Sequence, residues 1–197
     1  ILRYIIMKQL NNIILEGIPD KRVDKNTTSL KFKQDLIEFF TPLKFKTCIE
    51  VGTHMGYSAR ILSSLFEHII TLEHEMDLIR HAVDLNKDIK NIEYLHGNVY
   101  ESDWGLEGYY DVAFIDCNHH YEFVKKDIES CMKYNVKYII FDDYGIPFDY
   151  PGVKPAVDEF IKENSISEVH YIGEPAGNEP RIGKPLIASE GVILKVR

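Results

Sequence analysis

One stretch, Thr47-Cys48-Ile49-Glu50-Val51-Gly52-Thr53-His54-Met55-Gly56-Tyr57-Ser58, constrains the fold of this chain more than any other. An apolar, β-prone run ends there in Glu50 and a pair of glycines. Beyond it Ile61, Leu62, Leu65 and Phe66 recur at the spacing of one helix face. The spacing predicts a strand, a glycine turn and a helix. Gly52 and Gly56 free the backbone to take positive φ and to approach a ligand closely, and the amides opening the helix face any anionic group placed there. A dinucleotide fingerprint would need a glycine at His54, and a phosphate loop would need a lysine after Gly56; this chain has neither. What stands instead is E-x-G-x-x-x-G-x-S, in which Glu50 would repel a pyrophosphate but can hold an ammonium group. A plain strand-to-helix turn with glycines serving packing fits the glycine pair equally well.

The same unit repeats along the chain. Ile69, Ile70 and Leu72 form a second strand ending in Glu73-His74, with Leu78, Ile79, Ala82 and Val83 on the helix after it. Ile92, Tyr94 and Leu95 form a third, ending in Gly97-Asn98. Val112 to Ile115 is a fourth, ending in Asp116, followed by a helix carrying Val124, Ile128 and Met132. Tyr138 to Phe141 is a fifth, ending in Asp142-Asp143, with Val153, Ala156, Val157, Phe160 and Ile161 on its helix. Near-continuous apolar runs alternating with helices predict a parallel sheet covered on both faces. Val169 to Ile172 and Val192 to Val196 have no helix between them, so they should pair antiparallel across the Gly/Pro-rich excursion at 173–191. Glu50, Glu73, Asn98, Asp116, Asp142 and Asp143 all fall at strand C-terminal ends, where ligands bind in open α/β sheets.

Residues 1–45 read as a helical leader ahead of an α/β core at 46–197, the whole forming one domain. Leu30, Phe32, Leu36, Ile37 and Phe40 fit a helix closed by Thr41-Pro42. Asp24 to Ser29 reads as its N-cap preceded by a solvated loop, and the six residues before Met7 read as an upstream extension. A chain of 197 residues can bury roughly 70% of its unfolded surface in a single core. The formal charge of -8, with acids spread along the chain, argues against a nucleic-acid partner and for a small-molecule one. Cys48, Cys117 and Cys131 lack metal-ligand spacing and read as reduced thiols of a cytoplasmic protein. No apolar stretch is long enough for a membrane span. A homo-oligomer is compatible with the sequence, which does not decide it.

The E-x-G-x-x-x-G-x-S stretch resembles motif I of class I S-adenosylmethionine-dependent methyltransferases, and its Gly-Tyr-Ser ending resembles the catechol O-methyltransferase-like branch. The segment Phe114-Ile115-Asp116-Cys117-Asn118-His119-His120-Tyr121-Glu122 is similar to that family's F-I-D-G-x-H-x-Y-E, with Cys117 in place of the glycine. Asp142-Asp143-Tyr144 resembles the macrocin-type sugar O-methyltransferases, whereas catechol enzymes have Asp-Asn. The resemblance covers about residues 45 to 165. It implies a Rossmann-like methyltransferase sheet, mostly parallel and seven-stranded, with a C-terminal antiparallel hairpin and helices on both faces.

For the cofactor, the resemblance implies S-adenosylmethionine held by Glu50, Gly52, His54, Gly56, Ser58, Glu73, His74, Asn98 and Asp116. Glu73 would accept the ribose hydroxyls, Asn98 would lie near the adenine, His54 and Ser58 along the methionine end, and His74 beside the adenosine. It also implies Mg²⁺ or a similar divalent cation held by the hard oxygens of Asp116, Asp142 and Asp143. His119 would be the general base, three residues after Asp116, because macrocin-type enzymes use a carboxylate where Asn118 stands; otherwise the metal alone activates the hydroxyl. The expected reaction is transfer of a methyl group to a hydroxyl of a sugar, glycoside or catechol-like diol. Arg181 and Lys184 would then meet an anionic part of the acceptor. Helix-start, turn and N-cap roles remain open for His119, Asn98, His74 and the strand-end acids. So do a non-catalytic S-adenosylmethionine or nucleoside module on the same fold and, less favoured, an NAD-dependent oxidoreductase.

Overall fold

The computed structural model describes residues 27–101, 103–147, 152–178 and 185–197. The readings for Asp24 to Asn26, for the extension before Met7 and for Arg181 and Lys184 lie outside the described residues. Twelve elements follow in chain order: α1 (Leu30–Phe40), β1 (Thr47–Val51), α2 (Tyr57–Leu65), β2 (His68–Glu73), α3 (Met76–Leu85), β3 (Ile92–His96), β4 (Val112–Ile115), α4 (Tyr121–Lys133), β5 (Tyr138–Phe141), α5 (Val153–Glu163), β6 (Val169–Ile172) and β7 (Gly191–Lys195). The strands form one seven-stranded sheet in the order β3-β2-β1-β4-β5-β7-β6. β1 to β5 are parallel, and β7 runs antiparallel between β5 and β6. This is the Rossmann-like methyltransferase sheet with its C-terminal hairpin.

The apolar strand runs divide between two layers because successive side chains point to opposite faces. Ile49, Val51, Ala113, Ile115, Ile139 and Phe141 face one core, packed with Val124 and Ile128 of α4 and Val153, Ala156 and Val157 of α5. Cys48, Val112, Phe114, Tyr138 and Ile140 face the other, closed by Phe32, Leu36 and Phe40 of α1 and Leu62 of α2. Fully burying each such apolar side chain contributes on the order of 1.5 to 3 kcal/mol. The sheet is therefore covered on both sides, as the uninterrupted hydrophobicity of its central strands requires.

Two details depart from the sequence reading. Thr27, Thr28 and Ser29 are buried rather than solvated. Ser29 is the N-cap of α1, its hydroxyl accepting from the amide of Phe32 at 3.1 Å. The same serine donates its own amide to Oε1 of Glu190 at 2.8 Å and its hydroxyl to Oε2. Glu190 is fully buried and also accepts from the amide of Glu174 at 2.9 Å. It thus joins the start of α1 to the base of the excursion between β6 and β7, and Asp35 adds a second tie by accepting from the amide of Gly173 at 2.9 Å. The last strand also starts at Gly191, one residue before the apolar run, where it pairs with Ile172; the Phe32 ring sits over that position, and a Cβ there would lie 2.3 Å from it, so only glycine fits. No helix of the described residues is long and apolar enough to cross a membrane.

Candidate active site

β1 pairs with β2 on one side and β4 on the other, and the helices that follow β1 and β4 pack on opposite faces. Such a switch point leaves a crevice outside the strand C-termini. A cleft of about 860 Å³ opens there, lined among others by Gly52, His54, Glu73, His74, Asn98, Asp116 and His119. The sequence-derived residues Glu50, Gly56, Ser58, Asp142 and Asp143 are not part of that lining.

The glycines have separate jobs. Gly52 takes φ +99°, and a Cβ there would stand 2.0 Å from the carbonyl oxygen of Asp116, so the glycine lets β1 and β4 close at the floor of the cleft. Gly56 is the N-cap of α2 at φ +80°, and a Cβ would lie 2.7 Å from that of Ala82 on α3. Its role is packing, with Asn86 Nδ2 donating to its carbonyl at 3.0 Å.

Glu50 lies beneath this turn, fully buried. Thr71 Oγ1 donates to its Oε2 at 2.5 Å, and Oε1 has no hydrogen-bond partner among the described residues. Burial pushes its carboxyl up to about 8, with the neighbouring hydroxyls of Ser58 and Thr71 pulling the other way and the charges of Asp116 and Glu73 adding to the rise. A buried acid of this kind is poised to ionise when a cation arrives.

Glu73 is the organiser of the turn. Its Oε2 accepts from the amide of His54 at 2.9 Å, and its Oε1 accepts from the amides of His74 at 2.9 Å and Glu75 at 3.0 Å. A carboxylate has about four lone-pair sites, so acceptor capacity remains toward the cleft. His74 is largely exposed and paired with Glu75 at 3.0 Å. Asn98 lines the cleft while its Oδ1 accepts from the amide of Tyr100 at 3.0 Å, an Asx turn that shapes the loop after β3.

At the other end three side chains converge. Oδ1 of Asp116, Nε2 of His119 and Oδ2 of Asp143 all lie within 4.8 Å of one another. His119 stands 3.2 Å from Asp116 and 3.3 Å from Asp143. Asp142 is buried nearby but is not one of the three. Burial alone would lower the His119 pKa; the hydrogen bond that its ring donates to Asp116 and the charges of Asp143, Asp116 and Asp142 outweigh it and hold the imidazole up to about 9. Two carboxylates and an imidazole around one point are a donor set that suits a divalent cation.

Comparison with known proteins fits this geometry. Residues 49–144 match the family model described as a methyltransferase domain, a span that runs from the glycine turn through the Asp142-Asp143 pair. That span, just under half of the chain, is similar to a methyltransferase domain. No curated protein matches the sequence. Solved structures share the domain's fold: an O-methyltransferase from Bacillus cereus in complex with SAH, at 17% identity and a TM-score of 0.62, covers 95% of this chain and 87% of its own. The O-methyltransferase TomG from Streptomyces achromogenes, involved in tomaymycin synthesis and bound to SAM, gives 15% identity, a TM-score of 0.64 and coverages of 95% and 87%. An O-methyltransferase from Klebsiella pneumoniae, described as putative, gives 17% identity, a TM-score of 0.63 and coverages of 93% and 87%. The family resemblance drawn from the motifs agrees with all of these.

The cleft is also built from residues that the motifs do not single out. Tyr100 and Phe123 pack with ring centroids 4.6 Å apart in the cleft wall. The Tyr100 hydroxyl donates to Oδ2 of Asp127 at 3.0 Å and accepts from the amide of Asn118 at 3.3 Å, which ties the loop after β3 to the turn after Asp116. Asp127 is buried on α4, and burial pushes its carboxyl up to about 7 against the pull of the Tyr100 hydroxyl and His119. A polar residue on the buried face of α4 breaks the apolar helix pattern, and that break is the signal by which sequence could have found it.

Proposed function

We propose that the chain is an S-adenosylmethionine-dependent, divalent-cation-dependent O-methyltransferase acting on a hydroxyl of a small molecule, either a sugar or glycoside or a catechol-like diol. The observation that carries this is the convergence of Asp116, His119 and Asp143 in a methyltransferase domain whose cleft runs from that cluster to the glycine turn. S-adenosylmethionine, where bound, supplies an electrophilic methyl on a cationic sulfonium. The carboxylates of Glu73 and Asp116, which line the cleft, favour such a cation. Glu50 would face the ammonium group from below, Glu73 would use its remaining lone pair on a ribose hydroxyl, and Tyr100 with Phe123 would offer an aromatic wall to the base.

A divalent cation, where bound by Asp116 and Asp143, supplies Lewis-acid and template chemistry for an acceptor with adjacent hydroxyls. The residues around it restrict what else can serve. His119, held between two carboxylates and protonated at neutral pH, does not accept a proton in that state. The base reading drawn from sequence therefore requires that its carboxylate partners be engaged elsewhere. The free thiols of Cys48, Cys117 and Cys131 suit a reducing cytoplasmic setting, and the chain's charge of -8 suits an uncharged small acceptor better than a nucleic acid.

Thermal-shift titration tests the proposal. S-adenosylmethionine should raise Tm and NAD should not, since a ligand at about 100 times its Kd adds about 2.7 kcal/mol. Adding a diol-bearing acceptor with a divalent cation should then release S-adenosylhomocysteine, and EDTA should stop it. Stabilisation by NAD alone, or full turnover in excess chelator, overturns the proposal. Glu73→Ala should weaken S-adenosylmethionine binding by about 1.5 to 3 kcal/mol. It should also loosen the His54 turn, whose amide it caps. Calorimetry giving wild-type affinity for this variant removes Glu73 from the cofactor site.

A further inference from the structure

We infer that His119 is a ligand of the cation, taking the place of a third carboxylate, and that the site consequently prefers a nitrogen-accepting transition metal such as Co²⁺ or Zn²⁺ over Mg²⁺. The inference rests on the metal-dependent reading above and specifies its coordination. The ligand atoms that converge are one oxygen of Asp116, one oxygen of Asp143 and Nε2 of His119, with Asp142 outside the group. Nε2 points at both carboxylates, 3.2 and 3.3 Å away, so an ion that draws the two oxygens onto itself meets the imidazole nitrogen on the same side. The position is prepared in the fold. Asp143 is buried at a left-handed φ of 58°, and Asp116 is placed by its amide, which donates to the carbonyl of Val51 at 2.9 Å. His119 lies in the turn just before α4, anchored on the Asn118 amide by Tyr100.

Chemistry then sets the preference. Mg²⁺ demands oxygen ligands in near-octahedral arrangement and keeps its waters, whereas imidazole nitrogen binds Zn²⁺, Co²⁺ and Ni²⁺ well. A site of three carboxylates would favour Mg²⁺, Ca²⁺ or Mn²⁺; exchanging one for imidazole shifts the balance. The structure thus distinguishes two metal sets that the Asp142-Asp143 pair leaves indistinguishable in sequence.

The experiment uses the full chain and direct metal binding. Equilibrium dialysis with Co²⁺ and with Mg²⁺, each alone, should show tighter binding of Co²⁺ to the wild type. X-ray absorption of the Co²⁺-loaded wild type should show the outer-shell scattering of one imidazole. His119→Ala should lose that scattering and at least about tenfold in Co²⁺ affinity, the lower end of what even indirect partners of a metal site cost. His119→Asp should narrow the Co²⁺ preference over Mg²⁺, and Asp142→Asn should lower Co²⁺ affinity less than His119→Ala. Metal bound without an imidazole in the wild-type spectrum overturns the assignment of His119 while leaving metal dependence standing, and that measurement needs no variant to fold. No binding of either ion by the wild type overturns both.

Discussion

Asp143→Ala is expected to lower methyl transfer by about 10²- to 10³-fold or more, the loss typical when a group that stabilises developing charge is removed from a site. S-adenosylmethionine affinity should stay within a few fold of wild type. Asp143 stands at the end of β5, buried, 3.3 Å from His119 and outside the lining of the cofactor cleft. Alanine removes its oxygens from the cluster and also forces a residue with a Cβ but no polar side chain into a φ of 58°, at a cost of about 1 to 2 kcal/mol. Asp143→Asn separates these effects. Asparagine tolerates the left-handed region and retains a carbonyl oxygen that can face a cation, so it should keep the stability and recover part of the turnover. The measurement is kcat with cation titrated to saturation, beside a urea melt. If alanine turns over as fast as wild type, Asp143 has no part in the reaction.

Glu50→Gln should change the protein's response to pH. The folded carboxyl is held near 8, against an ordinary value near 4.5, chiefly by burial. The native state therefore holds a proton that the unfolded chain releases. Stability of the ligand-free protein is fully present below about pH 4.5 and falls as pH rises toward 8, by up to about 1.4 kcal/mol per unit and a few kcal/mol in all. Glutamine keeps an acceptor for Thr71 Oγ1 and carries no proton to lose. Denaturant melts of the variant should lose most of that slope. Asp127, held near 7 by burial, and His119, held near 9 by its carboxylate partners, supply what remains in the same direction. The variant should also bind S-adenosylmethionine more weakly, since an amide does not neutralise an ammonium group. Parallel pH profiles for wild type and variant refute the account of Glu50.

The central strands could be read from sequence because burial on two faces makes β4 and β5 continuous apolar runs, and β1 one broken only by Glu50, each bounded by turns and alternating with amphipathic helices. Their ends could be read because polar residues interrupt the runs where the strands leave the core. Gly191 escaped because a glycine carries no apolar signal, and what makes it fit in β7 is the ring of Phe32, far away in sequence, against which a side chain would clash. The buried Ser29 escaped for a related reason: its surroundings are polar in composition and dry only because Glu190, 161 positions on, satisfies them. Within the site, Asp116, Asp142 and Asp143 announce themselves as a set, but sequence order does not say which way each carboxylate turns. The convergence of His119 with only two of them depends on the left-handed backbone at Asp143 and on the turn that Tyr100 holds.

The Glu190 junction matters to anyone recombining this domain. On the proposed function, the excursion after β6, whose C-terminal base bonds to the Gly145 turn just beyond Asp143, is a candidate cassette for grafting new specificity. Its base, however, shares a dry carboxylate with the start of α1, so the cassette has two ends of its own and a third on the opposite end of the chain. A graft that keeps the β6 and β7 flanks but replaces Glu190 takes from the buried Ser29 amide the carboxylate that accepts from it. A graft that replaces α1 takes from the carboxylate the two hydrogen bonds donated by Ser29. The interchangeable unit is thus discontinuous, with α1 and the excursion exchanged together or not at all.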